Sequence, residues 1–196
     1  MVPRTGPPPG SDRPHEGIRR MTANINDFLA HFVTDLNNRY IAALAGLSDE
    51  QLAYRPTADS NHIGFLAWHV LRTEDNVLNY LCQDRKTTVW LQQSLNVRWG
   101  LPKAAQGTGM DPREAHALRV PGAAELAQYA EDLTESVRPF LETVDGLALR
   151  GSVHVGKGRR QSMIQLIGQA VLAHGNVHLG QVLSLRTAQG LPVEGY

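Results

Sequence analysis

The chain is poor in the features that usually place a protein quickly. It carries one cysteine, Cys82, so no disulfide forms within it, and a reducing, cytoplasmic setting is the expectation. It carries no excess of charge: 19 Lys and Arg balance 19 Asp and Glu, which leaves no global field to gather nucleic acid or an anionic membrane. A nucleic-acid reader shows a basic face, and none is evident. No apolar run nears the roughly 20 residues that span a bilayer. No Glu-x-x-His motif occurs, which removes the ligand pattern of a carboxylate di-iron bundle. The expected partner is therefore a small-molecule substrate, with neither nucleic acid nor membrane; a homodimer is compatible with a small bundle, and the sequence does not fix the oligomeric state.

What is present is a substantial apolar content, 42% of 196 residues, enough for one domain with a real core. Residues 1–21 stand apart. Pro3, Pro7, Pro8, Pro9 and Pro14 sit there among Gly and Arg with almost nothing to bury. With no apolar stretch of the secretory kind, the segment reads as a disordered tail, with Met21 as the true start and residues 22–196 as a single domain.

Apolar spacing of three and four predicts four long helices. The first covers Asn24 to Ala45 and stops at Gly46. A short capped turn follows at Ser48–Leu52. The second covers Asn61 to Gln83, with Ser60 as N-cap and a stripe through Leu66, His69, Val70, Thr73 and Val77. The third covers Ala123 to Val144, with a kink or break expected near Arg138 because Pro139 follows. The fourth opens at a Ser162/Gln165 capping pattern and ends at Gly190. Its buried stripe takes in Met163, Leu166, Ile167, Ala170, Val171, His174, Val177, His178, Gln181, Val182 and Leu185. Residues 84–121 form a long crossover with a short helix or two, and connections of that length tend to be functional. Residues 146–161 read as a Gly-rich, basic loop. The expected fold is an all-α four-helix bundle with long crossover connections.

The fourth helix holds the run His174-Gly-Asn-Val-His178-Leu-Gly-Gln181. Positions i and i+4 share one helix face, so the two imidazoles stand side by side on the buried stripe. Protonation would bury like charges, and each ring has two nitrogens to satisfy. A metal ion answers both problems. In bundles such sites draw on facing helices, and His69 on the second helix is the best third ligand. His62, two turns away, is too far to share the ion and is placed at the mouth of the site. Gln181, three residues past His178, and Thr73 are expected to support the ligands. Three neutral imidazoles leave an ion its charge and an open position, the arrangement of catalytic zinc. The same set suits zinc or nickel, cobalt or iron. The Gly156–Arg160 stretch lacks the spacing of a phosphate loop and reads as a solvated basic loop. Lys157, Arg159 or Arg160 would meet any acidic thiol cofactor.

The HGNVHLGQ run, the segment Gly64-Phe-Leu-Ala-Trp-His69 followed by Glu74-Asp75, and the closing Leu185-Arg186 with Gly190-Leu191 resemble the DinB-like metal-binding four-helix bundles, over about residues 22–191. The resemblance implies a divalent ion on His69, His174 and His178. It also implies a family in which some members transfer or isomerise through low-molecular-weight thiols. The pattern further suggests Glu74 as an acid/base residue. The expected function is metal-dependent transfer or hydrolysis on a small molecule, with zinc or nickel as cofactor and a low-molecular-weight thiol as cosubstrate. The alternative is a non-catalytic bundle stabilised by its metal.

Overall fold

The computed structural model describes residues 24–156 and 158–193. The expected tail, Met21 and Lys157 lie outside the described residues. Among the described residues the fold is helical, as expected, with one short hairpin. Its elements are α1 (Ile25–Leu44), α2 (Asp49–Ala53), α3 (Ile63–Asp75), α4 (Val89–Gln92), α5 (Leu95–Arg98), α6 (Pro112–Ala117), α7 (Ala123–Thr143), α8 (Gly146–Arg150), β1 (Ser152–His154), β2 (Arg160–Ser162), α9 (Met163–Leu166) and α10 (His174–Ala188). Two π-helical segments interrupt the long rods: Asn76–Leu81 prolongs α3, and Ile167–Ala173 joins α9 to α10. Four long helical stretches thus pack around one core, with α1 against α7 and α3 against α10.

Local chemistry sets most of the ends. Asn24 accepts from the Asn26 amide at 3.2 Å, and Ser48 and Gln51 form a reciprocal capping box on α2. Gly190, at φ +70°, closes α10 with the Leu191 amide donating to the Arg186 carbonyl at 3.0 Å, a left-handed cap that suits glycine. Two caps differ from expectation. The N-cap of α3 is His62 rather than Ser60: His62 Nδ1 accepts from the Phe65 amide at 3.1 Å. Burial lowers the His62 pKa, which keeps that nitrogen an acceptor. Ser162 stands at the N-cap of α9 but donates to Gln165 Oε1 at 2.8 Å and caps no backbone amide.

Pro139 does not break α7, which runs on to Thr143. The carbonyl it leaves without a partner is that of Glu135, and both residues lie on the exposed face, where water can satisfy it. The 146–161 loop is partly ordered as α8 and the β1–β2 hairpin, paired Ser152 to Ser162 and His154 to Arg160. Arg160 Nε donates to Ser152 Oγ at 2.6 Å within that hairpin.

The crossover of residues 84–121 is tied down by one carboxylate. Asp75 is fully buried and accepts from the Val89 and Trp90 amides, at 3.1 and 2.9 Å, at the start of α4. It also accepts from Tyr129 Oη at 2.7 Å and Asn79 Nδ2 at 2.9 Å, and Arg72 stands 3.6 Å away. A buried charge of this kind survives only when so many donors replace its water. The network seats Trp90 edge-on to Trp68 in the core. Cys82 is buried, and burial pushes its thiol up to about 12, leaving it without thiolate character.

Candidate metal centre

Helix pitch explains how α10 presents its histidines. Ile167, Val171, Gly175 and Leu179 are all buried. They lie four residues apart, so at about 100° per residue the first and last would face roughly 120° apart in a plain α-helix. The π-helical segment Ile167–Ala173, with its wider i→i+5 turn, takes up the excess and keeps all four on the core. The buried stripe therefore passes through Gly175 and Leu179 rather than through the histidines. His174 and His178 stand half-buried at its edge, and Val177, expected inside, is 63% exposed. Gly175 allows the close approach beneath them. A Cβ there would come within 2.5 Å of Leu36 Cδ2, and Tyr40 Oη donates to the Gly175 carbonyl at 3.0 Å.

Across from this pair, α3 presents His69. A ring nitrogen from each of His69, His174 and His178 falls within 4.8 Å of the others. His69 Nε2 and His174 Nε2 are 2.9 Å apart. Tetrahedral bonds of about 2.0–2.1 Å set ligand nitrogens about 3.3 Å apart, so the His69–His174 pair is near the spacing of a divalent site, with a His178 nitrogen within 4.8 Å of both. The far side of two rings is anchored. His69 Nδ1–H donates to the Gln106 carbonyl, and His178 Nδ1–H donates to Gln181 Oε1 at 2.6 Å. Anchoring Nδ1–H to oxygen selects the tautomer whose Nε2 carries the lone pair. His174 Nδ1 is buried without a well-formed hydrogen bond, and the Ala170 carbonyl one turn back only weakly attracts its proton.

The electrostatics favour neutral rings. Burial lowers the His174 pKa to about 4, with the neighbouring His69 and His178 adding to the effect. Burial likewise lowers His69, helped by His178 and opposed by the Gln106 carbonyl. His69 and His174 are therefore lone-pair donors at neutral pH, the form a metal requires. The donor set fits a divalent ion.

Of the residues expected from sequence, His69, His174, His178 and Gln181 are brought together. Three others are not. Glu74 lies outside the cluster, with its carboxyl fully buried and accepting from Asn37 Nδ2 of α1 at 2.8 Å. Thr73 turns its hydroxyl back to the His69 carbonyl at 2.8 Å and does not reach a ring. His62 is spent on capping α3. Sequence reasoning also missed three residues that clamp His69. Phe65, one turn earlier, stacks on it with ring centroids 5.9 Å apart. Gln106 and Gly107 approach from the crossover. Gly107 has φ +89°, and a Cβ there would stand 2.9 Å from His69 Nδ1. The glycine-rich break in a long connection was the available signal, but no spacing rule links it to a histidine far away in sequence.

Fold and cluster together define a helical protein with a candidate three-histidine metal centre shared between α3 and α10. The chain belongs to the DinB superfamily, whose family model matches residues 34–182. It is also similar to a solved structure described as the conserved protein of a locus from Enterococcus faecalis. That likeness has a TM-score of 0.73 at 16% identity, and it covers 85% of this chain and 98% of the other. It shows a shared fold. No curated protein matches the chain.

Proposed function

We propose that this protein is a metal-dependent enzyme that transfers or hydrolyses a group on a small molecule, using zinc or nickel, with a low-molecular-weight thiol as cosubstrate for transfer. The observation that carries the reading is the convergence of three imidazoles, two of them locked by oxygen acceptors in the ligating tautomer. When bound there, a divalent ion supplies Lewis acidity and lowers the pKa of a water or thiol at its open position. The protein's own residues do the rest. Gln106 and Gln181 fix ring orientation. Phe65 and Gly107 keep water from one side of His69. The half-exposed side of His178, next to exposed Val177, is the approach for substrate. Glu74 has no part in this scheme, because its carboxyl faces α1.

The test is metal analysis of the purified full chain, followed by zinc- and nickel-dependent transfer between small thiols and electrophiles and hydrolysis of esters. One metal per chain, lost in His69→Ala together with turnover, supports the proposal. A fully stable chain that takes up no metal would falsify it. Bound metal that raises the melting temperature without any turnover favours the ion as a purely structural element.

A further inference from the structure

A cleft of about 640 Å³ runs along the seam between α3 and α10. It begins beside the histidine cluster. Gln181, which holds His178, lines it, and Leu66, one turn before His69, forms part of its wall. From there it follows α10 as far as Ala188, a span of about 15 Å measured from His178. The β1–β2 hairpin lies beyond the other end of α3, beside Asn76–Arg85, so Arg159 and Arg160 do not reach this cleft.

Its chemistry is graded along its length. Exposed Val177 at the histidine end, with Leu66 and Leu185 further along, gives the cleft an apolar wall, and Gln181 and Ser184 stand between Val177 and Leu185 on α10. The far rim is the loop before α3, with Asp59, Ser60 and Asn61. Asp59 is the one charged side chain among the described lining residues, and none of those is Lys, Arg or His. Arg55, which donates to the Ala58 carbonyl at 2.7 Å, is not among the lining residues. An anionic tail laid in this cleft would meet the Asp59 carboxylate and no cation among the described lining residues. An ammonium would gain a charge-assisted hydrogen bond there.

We propose that this cleft holds the body of the substrate and selects small molecules with an apolar middle and a cationic, amine-bearing end, seated at Asp59. The reacting end lies at the histidines, and for that end alone the inference rests on the proposed metal centre. The cleft disfavours thiols whose tails carry carboxylates, the kind that a basic hairpin loop would receive.

Three matched probes test it: aminohexanethiol, hexanethiol and mercaptohexanoic acid, titrated into the cobalt-loaded full chain and followed by the visible cobalt spectrum. The amine-ended thiol is expected to bind about tenfold or more tightly than the acid-ended one. Asp59→Asn should bring the two within about threefold while leaving hexanethiol unchanged, and Val177→Asp should weaken hexanethiol. Equal binding of amine and acid, or a preference that survives Asp59→Asn, overturns the proposal. Amide shifts induced by hexylamine at Ser60, Asn61, Val177 and Ser184 in metal-free protein read the cleft independently of any ion. Such shifts without a cobalt response to thiol uphold the cleft and sink the metal reading. A cobalt response with no amine preference does the reverse.

Discussion

Replacing Glu74 by glutamine should make the protein more resistant to unfolding at pH 8 than the parent chain, by an amount that vanishes near pH 4. Glu74 is wholly buried between α1, α3 and α7. Asn37 Nδ2 donates to its Oε1 at 2.8 Å and to Thr134 Oγ1 at 3.0 Å. Glu74 Oε2 and Asn37 Oδ1, the other halves of the same pair, have no partner among the described residues. Burial drives the carboxyl up to about 8, the Asp75 charge adds to this, and the Asn37 bond opposes it. In the unfolded chain the group titrates near 4.5. Between those values the folded state holds a proton that the unfolded state has lost. Stability contributed by this site is therefore complete below about pH 4.5 and falls as pH rises, flattening above about 8. The slope is about 1.4 kcal/mol per pH unit, and the whole effect is on the order of 5 kcal/mol. The side chain in Glu74→Gln cannot ionise, and its amide can donate to Asn37 Oδ1. Urea unfolding of both proteins at pH 5, 6, 7 and 8, at fixed ionic strength with chelator present, reads the difference directly. The parent should fall behind the variant steadily across the series. Parallel curves would refute the reasoning, because they would mean the carboxyl ionises without penalty in the folded chain.

Other perturbations follow from the same geometry. Gly107→Ala forces a side chain into a left-handed backbone and against His69, and should weaken metal binding by about 10–100-fold in a competition titration with a chromogenic chelator. Asp75→Ala leaves Arg72, Tyr129 and two amides of α4 without their acceptor, and should cost about 3–5 kcal/mol in chemical unfolding. A loss below about 1 kcal/mol would show that the crossover does not depend on it. Gly175→Ala overpacks α10 against Leu36 and should cost about 1–3 kcal/mol, with a melting temperature that Leu36→Ala partly restores.

The long helices are legible because their apolar spacing is local, and residues three and four apart report one face without knowledge of the rest. His69 is legible for the same reason, as a polar residue on an apolar stripe, and His174 and His178 are legible by their four-residue spacing, although they stand at the edge of the buried stripe and not on it. The errors come where pitch changes or contacts are distant. A uniform 3.6-residue turn across Ile167–Ala173 puts Val177 inside, but the helix there is π-helical. Glu74 invites a chemical role as an acid near the histidines, yet its partner Asn37 lies on another helix. Asp75 is the clearest case. Tyr129, the residue that shows it to be a structural hub, stands 54 positions away, and no periodicity carries that information. Gln106 and Gly107 belong to a connection whose course depends on where Asp75 anchors it.

The π-helical turn before His174 makes the position of the histidine pair a matter of counting. Adding one residue to Ile167–Ala173 leaves helix-forming sequence on both sides, so the rod survives, but the π turn already absorbs one extra residue and a second has no such turn to absorb it. It would turn everything downstream by about 100° and push it forward by about 1.5 Å, carrying His174 and His178 off the line to His69 while Gly175 leaves Leu36. Substitutions within the segment are far milder than a one-residue insertion, because side-chain identity there tunes packing, whereas residue number sets the angle between two halves of a site.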